Sequence, residues 1–155
     1  MILHTIIDLL KRIVVALPDY GGGGSSGGLT LLHTYTATED VSAIKIDFTT
    51  ETQGYDVYVV KLEGTVTGSI GPYFGINTET NNRYYVQLTD SYKYVAMIYA
   101  YKDLNNNSQV SLVGGSGTQT TTAPLQYLHI RVFNTSSVIK TGATVQVWGG
   151  NYENS

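Results

Sequence analysis

Residues 92–101 read Tyr-Lys-Tyr-Val-Ala-Met-Ile-Tyr-Ala-Tyr, and no other stretch constrains the fold more. Side chains alternate faces along a β-strand. Val95, Met97, Tyr99 and Tyr101 therefore line one side, and Tyr94, Ala96, Ile98 and Ala100 line the other. Tyr55–Leu62 has the same two-faced character, with Tyr55, Val57 and Val59 opposite Tyr58, Val60 and Leu62. Strands apolar on both faces belong in the middle of a sheet. Around them the pattern stays β. Ile44, Ile46 and Phe48 alternate with Lys45 and Asp47, as on a half-buried strand. Tyr73–Ile76 and Tyr84–Leu88 flank the polar stretch Asn77–Arg83, which predicts a hairpin with a longer loop. Gln109–Val113, Leu125–Phe133 and Thr144–Trp148 complete the series, while Gly114–Ala123 reads as a Gly/Thr loop. About nine short strands separated by turn signals predict an antiparallel β-sandwich, jelly-roll-like, over residues 29–155.

The N-terminus is of a different kind. Leu3, Ile6, Leu10, Ile13 and Leu17 are spaced alternately three and four apart, the rhythm of a coiled-coil seam. Ile2, Ile7, Leu9 and Val14 widen that apolar face. The spacing predicts a helix over Met1–Leu17, ended by Pro18. A helix this short and this apolar has to pack against something. Asp8, Lys11 and Arg12 interrupt the run, which argues against a signal peptide or a membrane span. Residues 1–20 are thus expected to be an oligomerising or anchoring helix. Residues 21–28, Gly-Gly-Gly-Gly-Ser-Ser-Gly-Gly, are expected to be a flexible linker spanning roughly 14–17 Å. Such a tether favours a helix held away from the sandwich, by copies of itself or by a larger assembly. The linker lacks the Gly-Lys-Ser/Thr ending of a phosphate loop, which argues against nucleotide binding.

Chemistry is sparse in the sequence. There is no cysteine, which excludes disulfides, thiolate metal sites and cysteine nucleophiles. The net charge of −3, with no basic cluster, argues against nucleic acid as a partner. His4, His33 and His129 have no metal-ligand spacing. His129 and Arg131 share a strand face opposite Leu128, Ile130 and Val132, and are expected to face solvent. The acidic residues Glu39, Asp40 and Asp103 are not spaced like a calcium loop. The carboxylates are scattered, and no nucleophile elbow is present. No enzyme and no cofactor are expected.

Tyrosine is abundant, with 13 copies, and offers a large contact face with a hydrogen-bonding tip. Tyr73, Tyr84, Tyr85 and Trp148 are candidates for stacking on a glycan. Trp148 is out of phase with the inward-pointing Ala143, Val145 and Val147, which places it on an outer face or in a subunit contact.

Several short motifs carry a family resemblance. They are Ile44-Lys45-Ile46-Asp47-Phe48, Tyr55-Asp56-Val57-Tyr58-Val59-Val60, Tyr73-Phe74-Gly75-Ile76-Asn77 and Leu128-His129-Ile130-Arg131-Val132-Phe133, with a closing Gly142 … Trp148-Gly149. Over residues 43–149 the chain resembles the β-sandwich of small tailed-bacteriophage virion proteins. The resemblance implies a head fibre, a capsid decoration protein or a receptor-binding part, with the capsid surface favoured over the tail. It further implies a homo-oligomer, a trimer above all, held to capsid or other virion proteins by its N-terminal segment. It supplies no catalytic residue. A carbohydrate- or receptor-binding module, on a phage tail or a secreted bacterial protein, is the alternative, with a cell-surface glycan as partner.

Overall fold

The computed structural model describes residues 25–26, 28–49, 51–68, 71–78, 86–87, 93–115, 117–133 and 135–152. The predicted helix, with its stripe of Leu3, Ile6, Leu10, Ile13 and Leu17, lies outside the described residues, as do Gly21–Gly24, Tyr84 and Tyr85. The described chain is mainly β, in two antiparallel sheets. Its strands are β1 (Ser25–Ser26), β2 (Leu29–Thr36), β3 (Ala43–Asp47), β4 (Val57–Glu63), β5 (Tyr73–Ile76) and β6 (Val86–Gln87). After them come β7 (Lys93–Lys102), β8 (Ser108–Gly114), β9 (Gly117–Thr121), β10 (Tyr127–Arg131) and β11 (Thr144–Gly150). Nine of these strands are longer than two residues. A seven-stranded sheet has the order β1-β2-β11-β4-β7-β8-β9, and a four-stranded sheet has the order β3-β10-β5-β6.

The two-faced segments are central, as their composition demands. β4 lies between β11 and β7, with Val60 opposite both Val147 and Ala96. Tyr58, Val60 and Leu62 face the space between the sheets, where they meet Tyr94, Ala96, Ile98, Val145 and Val147. From the small sheet come Ile44, Ile46, Phe74, Ile76, Leu128 and Ile130. Most of these side chains are fully buried, and burying each contributes about 1.5–3 kcal/mol. Ile139 closes one side of this core, bridged through its backbone to Val41 and to Val66.

Three sequence expectations change. The Gly/Thr loop over 114–123 contains a strand: β9 pairs with β8 from Gly114↔Gly117 to Val110↔Thr121. Within the Gly/Ser run, expected to be linker throughout, Ser25 and Ser26 pair with Thr30 and Leu29, and Gly28 has φ +82°. His129 is buried and Arg131 is half-buried, where exposure was expected. The reason is β10's position between β3 and β5, which sets Lys45 and Gly75 on either side of His129. Neighbouring long side chains then close over this face. The Lys45 ammonium lies 4.4 Å from the Tyr127 ring centroid, and the Arg131 guanidinium lies 4.3 Å from that of Phe133.

Candidate functional site

The end of the sandwich where the β8–β9 hairpin meets the small sheet carries two clefts. Gln119–Thr122 line one of them, and Pro124 and Leu125 line the other. The hairpin is held there by one side chain. Gln119 is buried, and its amide bridges from β9 to the backbone of Ile76 in β5. Beyond Ile76 the chain turns sharply at Asn77, which has φ +52°, a conformation Asn adopts more readily than most residues. The Asn77 side chain organises the loop opposite. Its Oδ1 accepts from the backbone N–H groups of Gln126 (2.7 Å) and Tyr127 (3.3 Å), and its Nδ2 donates to the Pro124 carbonyl at 2.8 Å. Gln53 does the same from the other side, its Nε2 donating to the Leu125 carbonyl at 2.9 Å.

The first cleft, of about 220 Å³, is apolar, with Tyr55, Tyr58, Val110, Pro124 and Leu125 in its lining. The Tyr58 ring meets the rings of Phe48 and Tyr55 edge-on, at centroid distances of 5.1 and 5.9 Å. Burial pushes the Tyr58 hydroxyl above its ordinary pKa, although that oxygen accepts from the Tyr55 N–H at 3.2 Å. Tyr55 is half-buried, so part of its ring faces the cleft mouth. The second cleft, of about 460 Å³, is polar, bounded by Asn77, Thr78, Gln119, Thr120, Thr121 and Thr122. Two of its hydroxyls are engaged: Thr120 Oγ1 is 2.7 Å from Ser111 Oγ, and Thr121 Oγ1 accepts from the Ala123 N–H.

This arrangement suits holding a ligand by stacking and hydrogen bonds. Among the described residues, neither lining contains a carboxylate, a histidine or a lysine. Three aspartates outside these linings are engaged. Asp40 binds Lys140 and Thr141. Asp103 organises its own loop through Asn105, Asn107 and Gln109. Asp56 accepts from the Tyr152 N–H. No group of three or more His, Asp or Glu among the described residues is placed to hold a metal ion.

The aromatic residues singled out from the sequence are not brought together here. Trp148 lies on the outer face of the large sheet, as its phase implied, but its exposure is 0%, so it offers no open face for stacking on a sugar. Tyr73 is half-buried, packs edge-on against Phe133 at 4.7 Å and is in the lining of neither cleft. Tyr84 and Tyr85 lie outside the described residues. Conversely, Tyr55, Asn77 and Gln119 carry the clefts and were not candidates from the sequence. An Asn directly after a strand, followed downstream by a Thr-rich run, was the available signal.

No family model, no curated protein and no solved structure matches the chain.

Proposed function

We propose that the chain is a bacteriophage virion structural protein, displayed on the particle surface as a head fibre or capsid decoration and attached or trimerised through residues 1–20. The observation that carries this reading is the strand order. With β1 and the β8–β9 hairpin set aside, eight strands form the halves β2-β11-β4-β7 and β3-β10-β5-β6. The chain changes sheet at nearly every connection, which supports reading the sandwich as a jelly roll, an architecture of capsid and lectin domains. The sequence resemblance to phage virion sandwiches supports the same reading. The proposal is tested by immunogold labelling of phage particles with an antibody raised against the intact chain. Regular labelling of the capsid is the expected result, and a protein found only outside particles would sink the idea.

A second reading, glycan or receptor binding, is favoured by the paired clefts. The half-buried Tyr55 ring in one cleft and the hydroxyls of Thr120–Thr122 in the other offer the stacking face and the hydrogen bonds that polyhydroxylated ligands use. A glycan array probed with the intact chain and with Tyr55→Ala tests it. Specific signals lost in the variant support it, and a blank array counts against it.

A further inference from the structure

The large sheet has a second apolar cluster, on the face turned away from the sandwich core. Val57, Val59 and Trp148 are there at 0% exposure, with Leu29 at 2% and Met97 at 7%. The ladder shows why they form one surface. Trp148 is opposite Leu31 on β2 and Val59 on β4, and Val59 is opposite Met97 on β7. The surface continues past Met97 as an apolar groove of about 200 Å³ that reaches Val113 on β8. Lys61 lies on the same face and is also buried, its ammonium 3.2 Å from Glu63.

Side chains on one face of a sheet cannot bury one another completely, because their outer ends point away from it. Burial to 0% needs a further layer. Among the described residues, every member of this cluster belongs to the sheet itself except Tyr152. Tyr152 covers one corner, where its hydroxyl donates to the Ala100 carbonyl. The face therefore calls for a covering layer, of which the described residues supply only Tyr152. Of the chain outside the described residues, Met1–Leu17 belongs to the longest and most apolar stretch.

We propose that Met1–Leu17 docks as a helix across the outer face of its own seven-stranded sheet, seating its apolar stripe on Trp148, Val59 and Met97. The dimensions agree. A helix of this length is about 25 Å long, while β2, β11, β4 and β7 together span about 14–19 Å. The chain enters the sheet at β1 and β2, directly beside β11 and Trp148. Residues 18–24 reach at most about 25 Å, enough to turn the helix back over that face. The width of the apolar stripe, with Ile2, Ile7, Leu9 and Val14 beside the heptad positions, suits a flat sheet better than a narrow two-helix seam. This inference does not rest on the virion reading. A particle or a trimer that takes the helix has to lift it off the sheet first.

Trp148 is the only tryptophan, so its fluorescence reports on this face alone. In the intact chain, acrylamide quenching of Trp148 is expected to be weak and independent of protein concentration. In Leu10→Asp, a carboxylate disfavours the apolar seat, and the quenching constant is expected to rise several-fold while the β-type circular dichroism is retained. Strong quenching in the intact chain, or weak quenching unchanged by Leu10→Asp, overturns the proposal. Protection lost on dilution assigns the cover to a second copy and also overturns it. Should Leu10→Asp not fold, trypsin acting on the intact chain decides. Slow cleavage after Lys11 and Arg12 relative to the urea-unfolded chain supports docking, and rapid removal of residues 1–12 from an intact sandwich refutes it.

Discussion

The side chain of Gln119 takes the place of a strand for Ile76. Its Oε1 accepts from the Ile76 N–H and its Nε2 donates to the Ile76 carbonyl, each at 2.8 Å. One amide therefore satisfies both polar groups of a peptide-flanked residue in the opposite sheet. Gln119 is only 7% exposed and Ile76 only 1%, so water does not readily replace it.

Gln119→Ala leaves a buried donor and a buried acceptor of Ile76 without this partner. Each such loss costs about 1–3 kcal/mol, so a destabilisation of about 2–4 kcal/mol is expected. Gln119→Glu retains the acceptor but sets a carboxylate against the Ile76 carbonyl, and should recover little of the loss at neutral pH. Urea unfolding midpoints of the three proteins check this. A wild-type midpoint in Gln119→Ala would mean that the hairpin is not held by this bridge.

Asp40 sets an acid limit on stability. Its hydrogen bond to Lys140, and then those from the Thr141 N–H and hydroxyl, pull its pKa from the ordinary 3.8 down to about 2. The folded state therefore favours the charged carboxylate. The associated stability is present above pH 4 and is lost as pH falls from about 4 to about 2. Asp40→Asn is expected to be less stable than the parent at pH 7 and to show a flatter stability profile between pH 4 and 2. Thermal melts across that range check it, with equal slopes as the contrary result.

The two-faced strands were legible because their sequence leaves little choice. β4 and β7 carry apolar residues at every buried position except Lys61, and their inward and outward sets fall as the alternation requires. β9 was not legible. Gly117–Thr121 has no apolar residue, and its place in the sheet comes from the Gly114–Gly117 hairpin and from Gln119, whose role depends on a strand more than 40 residues earlier in the chain. The clefts were hidden for the same reason, since Asn77 acts on Pro124, Gln126 and Tyr127 across a similar separation. Trp148 was half legible. Phase alone gave its face, but nothing local in sequence reveals that this face is buried.

Gly64 tests the close approach behind β4. Its φ is +140°, and a methyl group there would sit 2.7 Å from the Ala143 Cα. The obstacle is backbone, which cannot swing aside as a side chain can. Ala143 is itself anchored, because its N–H donates to the Lys140 carbonyl at 3.1 Å and its carbonyl accepts from the Ala37 N–H at 2.9 Å. Gly64→Ala is expected to cost about 3 kcal/mol, from the unfavourable φ together with the clash. Gly54→Ala is the control for φ alone, since Gly54 has φ +89° and a methyl there meets nothing within 4 Å. The control should lose distinctly less in urea melts, and equal losses would show that the Ala143 contact is not the cause.

Tyr152 sets the corresponding alkaline limit. Its N–H donates to Asp56 Oδ2 at 2.8 Å, and its hydroxyl donates to the Ala100 carbonyl at 2.7 Å. Burial, then the negative charge of Asp56, then Tyr99, push its pKa from 10.0 up to about 12. A raised tyrosine pKa means that the folded state favours the protonated hydroxyl, so the linked stability is complete below pH 10 and is lost as pH rises towards about 12. Tyr152→Phe removes the titrating group together with its hydrogen bond. It is expected to be about 1 kcal/mol less stable at pH 7, yet to lose less between pH 10 and 12 than the parent. Ultraviolet titration checks the assignment directly, because the parent should show one more late-titrating tyrosinate than the variant. Curves that differ only in the ordinary range near pH 10 would mean that the Tyr152 hydroxyl does not donate to Ala100 in solution. They would also remove the one described side chain that reaches over the outer face of the large sheet.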